Sequence, residues 1–192
     1  MSAVPPDDRR RTPVGPGMHV LAKPIGPLCD IKCDYCFYLE KRALFDDDKR
    51  YRMSDEVLAA YIDQYVTAQP TPVVEFVWHG GEPTLMGLDF FRKVVELQKP
   101  HRGRKEIRNS LQTNGMRLDD EWCTFFKQNG FFIGISLDGP QEIHDRYRKD
   151  RKGRGTFEQV MADIDRDRFM TPEESIAYGL IDEVVRPRAA AA

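Results

Sequence analysis

Three of the four cysteines fall within eight residues, Cys29-Asp30-Ile31-Lys32-Cys33-Asp34-Tyr35-Cys36, and the fourth, Cys123, stands far away. Three thiolates on one short loop can hold three irons of a four-iron, four-sulfur cube. Iron–sulfur electron carriers commonly close the cube with four cysteines, so here one iron is left open to a substrate or cofactor. Cys123 lies in a segment with helical patterning and makes a poor fourth ligand. Two other readings of the loop stay open at this point. A structural zinc site needs four ligands, often two close cysteine pairs, whereas His19, His79, His101 and His144 are scattered. Buried structural thiols are the other. A disulfide framework is disfavoured, because no apolar run follows Arg9-Arg10-Arg11 as a secretory signal requires. The expected compartment is the reducing cytoplasm.

Such a loop needs a scaffold, and 192 residues suffice for one core, or for one domain plus an appendage. Hydrophobic content of 41% and charged content of 31% fit a soluble globular chain, and a net charge of -2 gives no bulk attraction to nucleic acid or acidic membranes. No apolar run approaches membrane-spanning length. Residues 1–17 carry four prolines and three consecutive arginines with little apolar material, and are expected to form a disordered leader.

From Met18 the pattern alternates between strand-like and helix-like segments. Strands are expected at 18–22, 73–78, 107–111 and 131–137. Helices are expected from a Ser54 cap through Tyr65, then at 88–97, 119–127, 141–148 and 156–165. Repeated strand–helix units imply parallel strands and an α/β sheet or barrel. The unusual residues all follow strands. The cysteine loop follows the first, Gly80-Gly81-Glu82-Pro83 the second, Gln112-Thr113-Asn114-Gly115 the third and Ser136-Leu137-Asp138-Gly139-Pro140 the fourth. In parallel α/β folds these strand ends share one face, where sites are built.

Each motif has a chemical use and a plainer alternative. Gly80 and Gly81 let backbone carbonyls approach an ammonium group. Glu82 adds a carboxylate or caps the next helix. Asn114 and Ser136 supply small hydrogen-bonding groups. Arg148 pairs with a ligand carboxylate, or belongs to a solvated charge run with Arg146, Lys149, Asp150, Arg151 and Lys152. Tyr38 packs on a cofactor or on the protein itself.

The Cys-x3-Cys-x2-Cys spacing, with Tyr35 before the third cysteine and Phe37-Tyr38 after it, resembles the cluster loop of radical S-adenosylmethionine enzymes. Ala22-Lys23-Pro24-Ile25-Gly26-Pro27, Tyr38-Leu39-Glu40-Lys41, Gly80-Gly81-Glu82-Pro83-Thr84-Leu85 and the two later motifs are similar to anaerobic sulfatase-maturating enzymes over about residues 17–161. That resemblance implies a partial (β/α)6 barrel. It implies a 4Fe-4S cluster on Cys29, Cys33 and Cys36, with S-adenosylmethionine (SAM) on the open iron. It further implies reductive cleavage to a 5′-deoxyadenosyl radical, and oxidation of a sulfatase's cysteine or serine to formylglycine. By motif position, Gly80, Gly81 and Glu82 would hold the methionyl amine, Ser136 and Arg148 would contact the rest of the cofactor, and Tyr38 would lie near the adenine. A low-potential flavodoxin or ferredoxin would supply electrons.

Past residue 162 the likeness to sulfatase maturases ends, so residues 18–162 are expected to be a truncated radical SAM domain. Residues 163–188 instead resemble the C-terminus of the proteolytic subunit of the Clp protease, giving a tail domain at 163–192. Asp167 matches that protease's triad aspartate, but an aspartate without its serine and histidine catalyses nothing. Two non-enzymatic alternatives follow: a non-catalytic cluster- and SAM-binding fragment, or a Clp-interacting module.

Overall fold

Along β3 (Val73–Trp78), Val74, Phe76 and Trp78 are buried while Glu75 is exposed, as period-2 alternation requires of a strand with one covered face. The computed structural model describes residues 17–41 and 51–164. The remaining elements are β1 (Leu21–Ala22), β2 (Ile31–Cys33), α1 (Phe37–Lys41), α2 (Asp55–Ala68), α3 (Leu88–Gln98), β4 (Glu106–Thr113), α4 (Asp120–Asn129), β5 (Phe131–Ile135), α5 (Gln141–Tyr147), β6 (Arg148–Asp150) and α6 (Phe157–Ile164). Short 3-10 turns lie at Pro83–Met86 and Lys99–His101.

Four strands form a wholly parallel sheet in the order β1-β3-β4-β5. The α/β class and the four strand–helix units expected from periodicity are therefore present. The register sets Phe76 beside Asn109 and Asn109 beside Phe131, and Trp78 beside Leu111. Leu58 and Ile62 of α2, Phe91 and Val94 of α3, and Trp122, Phe125 and Phe126 of α4 join these residues in one core. Each fully buried Leu, Ile, Val or Phe contributes about 1.5–3 kcal/mol. Inside this core Asn109 accepts hydrogen bonds from Trp78 Nε1 and Gln98 Nε2 and donates to Gln98 Oε1, which leaves no stranded amide and fixes α3 over the sheet.

Local signals set the helix ends. The Ser54 side chain accepts from Val57 N and Asp119 from Trp122 N, and Gly130 ends α4 in the left-handed region at φ 64°. Several expected bounds need correction. The first strand is only Leu21–Ala22, because residues 18–20 make no ladder bonds. The fourth strand ends at Ile135, where the chain turns into the loop beginning at Ser136. The helix expected over 141–148 stops at Tyr147, and Arg148 begins a strand instead. That strand, β6, pairs antiparallel with β2 inside the cysteine loop, a ribbon that the reading of 29–36 as plain loop did not contain. Of the leader expected at 1–17 only Gly17, and of the tail expected at 163–192 only 163–164, fall among the described residues.

Candidate functional site

The four motif loops meet at the carboxyl end of the parallel sheet because every strand delivers its following loop to that side. Contact there is close enough to need glycine. A Cβ placed on Gly81 would lie 1.9 Å from the Leu28 carbonyl oxygen. The next residue's amide, Glu82 N, donates to that same oxygen at 2.6 Å. The Gly80-Gly81 turn is thus docked directly on the segment carrying Cys29, and Gly80 stands at φ 86°.

Glu82 is 1% exposed. Its Oε1 accepts from Thr84 N (3.0 Å), Thr84 Oγ1 (2.6 Å) and Thr113 Oγ1 (2.8 Å), and its Oε2 accepts from Asn114 N (2.8 Å). The side chain caps the Pro83–Met86 turn and bolts the end of β4 to it, so the capping alternative describes its geometry. Burial pushes the Glu82 carboxyl upward, against the pull of these donors. Asn114 carries the connection onward: its Nδ2 donates to Asp30 Oδ1 at 2.8 Å and lies 3.5 Å from Cys29 Sγ. Arg117 Nε holds the other Asp30 oxygen at 2.7 Å. Ser136 accepts from Gln112 Nε2 at 2.9 Å, and its amide donates to Thr113 O. The second, third and fourth motifs therefore form one hydrogen-bonded rim, which closes on the cysteine loop.

The β2–β6 ribbon forms the remaining wall. Its register puts Arg148 opposite Cys33, with Arg148 Nη1 3.7 Å from the sulfur. Arg148 Nε makes an ion pair with Asp138 Oδ1 at 2.9 Å, although its N–H is not aligned for a hydrogen bond. The Tyr35 hydroxyl donates to the other Asp138 oxygen, and the guanidinium lies over the Tyr35 ring. Arg148 is thus not part of a solvated charge run: its side chain is 14% exposed and held by a partner within the protein. Behind it, the buried His144 accepts from Asp138 N at 3.4 Å and contacts Thr156 Oγ1 at 3.0 Å, while Thr156 Oγ1 donates to Arg148 O. Burial pushes the His144 imidazole below its ordinary value, in keeping with a neutral ring.

Cys33 is buried, and Cys29 and Cys36 are half-buried. Burial pushes the Cys29 thiol up to about 12 and Cys33 up to about 11, with the nearby Arg148 charge pulling Cys33 back. A metal bound there must displace these protons. Among the described residues no three His, Cys, Asp or Glu side chains converge on a single ion. A cube makes no such demand, since each thiolate takes a different iron. Soft thiolates bordered by Arg148 and the Asn114 amide, with Arg151 Nη2 on the Cys29 carbonyl at 2.5 Å, suit an anionic iron–sulfur group. Tyr38 packs tilted against Phe37, with 4.1 Å between centroids, and lies under the Lys23 ammonium. Cys123 sits on α4, away from the loop. Sequence reasoning gave Asp138 and His144 no role of their own. Their partners stand on other elements, and the one local hint was their place within and just after the Ser136–Pro140 motif.

Comparison with known proteins gives similarities of three kinds. The Radical SAM superfamily matches over residues 24–172. A serine-type anaerobic sulfatase-maturating enzyme of Bacteroides thetaiotaomicron is 45% identical over 152 residues, covering 79% of this chain and 37% of that protein. A cysteine-type anaerobic sulfatase-maturating enzyme of Clostridium perfringens is 44% identical over 149 residues, covering 76% of this chain and 39% of that one. The solved structure of native anSMEcpe with bound AdoMet and Kp18Cys peptide superposes with a TM-score of 0.68 at 40% identity, covering 76% of this chain and 39% of that chain. The chain spans under two fifths of the length of these relatives.

Proposed function

The chain belongs to the radical SAM superfamily, and we propose that it is an oxidoreductase of the sulfatase-maturating kind, holding a 4Fe-4S cluster on Cys29, Cys33 and Cys36. When bound, the cluster and SAM would supply one-electron reductive cleavage of the sulfonium and removal of one hydrogen atom from a peptidyl cysteine or serine, the first of the two oxidising equivalents that conversion to formylglycine requires. The chain's own residues bind and orient. Gly80 and Gly81 offer backbone carbonyls to the methionyl amine, and Glu82 keeps that turn in place from its buried cap. Ser136 and Arg148 contact the rest of the cofactor, with Asp138 fixing Arg148, and Tyr38 lies toward the adenine. Serine-type and cysteine-type relatives match at 45% and 44% identity, so either residue is admitted as the target in a sulfatase-like peptide. A flavodoxin or ferredoxin is the proposed electron source. Among the described residues no helix is long and apolar enough to cross a membrane. A cytoplasmic location is proposed on other ground, the reducing compartment that keeps the loop cysteines free to bind a cluster.

The observation that carries this reading is the docking of Gly81-Glu82 onto Leu28, which sets a backbone turn beside the first cluster cysteine. Anaerobic reconstitution of the full chain with iron and sulfide should give a brown protein that forms 5′-deoxyadenosine from SAM with dithionite. A brown protein forming none is the non-catalytic fragment; a protein binding no cluster overturns the proposal. Cys33→Ala should lose the iron and Cys123→Ala should keep it, and iron loss in the second variant would refute the ligand set.

The division at residue 162 is also proposed, with 163–192 as a Clp-like tail docking on Clp subunits. Deleting 163–188 should then abolish co-purification with a Clp particle, and retention would end that proposal.

A further inference from the structure

We propose that the outer face of the β2–β6 ribbon is the docking surface for an acidic one-electron donor protein. This inference rests on the cluster reading above. Directly opposite residues of an antiparallel pair share a face. Cys33 and Arg148 therefore share the inner face, next to Asp138, and Lys32 and Lys149 share the outer one. Like charges set directly opposite weaken a ladder. Among the described residues no acidic side chain relieves either ammonium within ion-pair distance.

The surrounding acids are already engaged. Asp150 is tied to Arg154 and to the Lys152 amide, and Asp145 to the Phe157 amide. Asp30 is held by Arg117 and Asn114. Asp34 is the exposed acid at the border of the face. Residues 148–154 hold five basic side chains and one acidic one, although the whole chain carries -2. Positive charge is thus concentrated along this ribbon. Arg151 and Lys152 extend it over the turn, with Arg151 bonded to the Cys29 carbonyl.

Position makes the charge useful. One layer of backbone separates the Lys32–Lys149 face from the Cys33 sulfur, and the proposed cofactor pocket lies on the other side. A donor with an acidic rim reaches the cluster here without entering that pocket. Facing charges of opposite sign raise association rates by roughly 10- to 1,000-fold at low salt.

The test uses the full chain, reconstituted without oxygen, and a reduced acidic flavodoxin as donor. Bleaching of the cluster is followed by stopped flow at several salt concentrations. Lys32→Glu should lower the second-order rate about tenfold and flatten its dependence on salt, with iron content and dithionite reduction unchanged. That substitution turns a repulsive cross-strand pair into an attractive one, so a weakened ribbon is not the explanation. Lys149→Glu should do the same from the other strand. Binding of oxidised flavodoxin, read from its flavin fluorescence, should weaken in parallel and needs no turnover. Rates and binding unmoved by either reversal, or a wild-type rate indifferent to salt, would overturn the proposal. So would a variant that loses affinity for an acidic sulfatase peptide while its donor rate holds. Failure of the chain to load iron shows first in the iron assay, and then the cluster reading falls and this inference with it.

Discussion

Gly81 and Gly87 separate two reasons for a glycine. At Gly87, with φ 85°, a Cβ meets nothing within 4 Å, so only backbone conformation opposes a side chain. Gly81 has no positive φ, but its Cβ would collide with a backbone oxygen that cannot rotate away. Gly87→Ala should cost about 1–3 kcal/mol of stability through backbone strain alone, since φ 85°, ψ 158° is a region open essentially to glycine, and leave cluster binding intact. Gly81→Ala should cost a similar amount, about 1–3 kcal/mol, but it alone should reduce iron incorporation, because relief requires the Cys29 segment to move. Urea denaturation and iron assay on both variants check the contrast; equal iron contents would mean that the Leu28 contact does not position the cluster loop. Close backbone approach at Gly80-Gly81 was readable from sequence, since adjacent glycines after a strand have few other uses. The part played by Asp138 was not. Its partners Tyr35 and Arg148 lie on other elements, and only the fold shows that they meet.

The element that escaped sequence reading is the β2–β6 ribbon. Three residues per strand give too little alternation to recognise, and the helical pattern of 141–147 runs straight into Arg148. The longer elements were legible because β3 is a nearly unbroken apolar run, α2 opens on the Ser54 cap and α4 opens on acidic residues. Asp138, which follows β5, is one tie between the ribbon and the sheet, holding both Tyr35 and Arg148. Burial works to raise the Asp138 carboxyl, and the Tyr35 hydrogen bond and the Arg148 charge outweigh burial, leaving it below its ordinary value. A carboxyl depressed in the folded state stabilises the fold above its unfolded pKa, and that stability is lost as pH falls through the folded value. Asp138→Asn should therefore destabilise by roughly 1.5–3 kcal/mol at neutral pH, and the gap from wild type should narrow at about pH 3. Urea titrations at both pH values measure it. A gap that stays constant with pH would show that the carboxylate charge does not hold the ribbon.

At the scale of the molecule, the parallel sheet is covered on one face only among the described residues. Val74, Phe76, Trp78 and Leu111 face the helices, whereas the alternate positions Glu75, Arg108 and Phe132 are exposed. Parallel strands are usually covered on both faces, so a bare, partly charged face beside the motif loops suits the inner wall of a barrel better than a closed sandwich. Among the described residues β5 pairs with β4 alone, and Phe132 on that strand is 67% exposed. An unpaired strand edge offers a row of N–H and C=O groups to another chain, and a charged side chain on such a strand discourages the pairing. The isolated chain should therefore associate with itself as concentration rises in sedimentation velocity runs. Phe132→Lys should weaken that association about tenfold, equivalent to about 1.4 kcal/mol. Because Phe132 lies outside the core, monomer stability should change by no more than about 0.5 kcal/mol. Association of the variant at wild-type concentrations would place the contact elsewhere, and an unchanged urea midpoint alongside weaker association would locate it at the β5 edge.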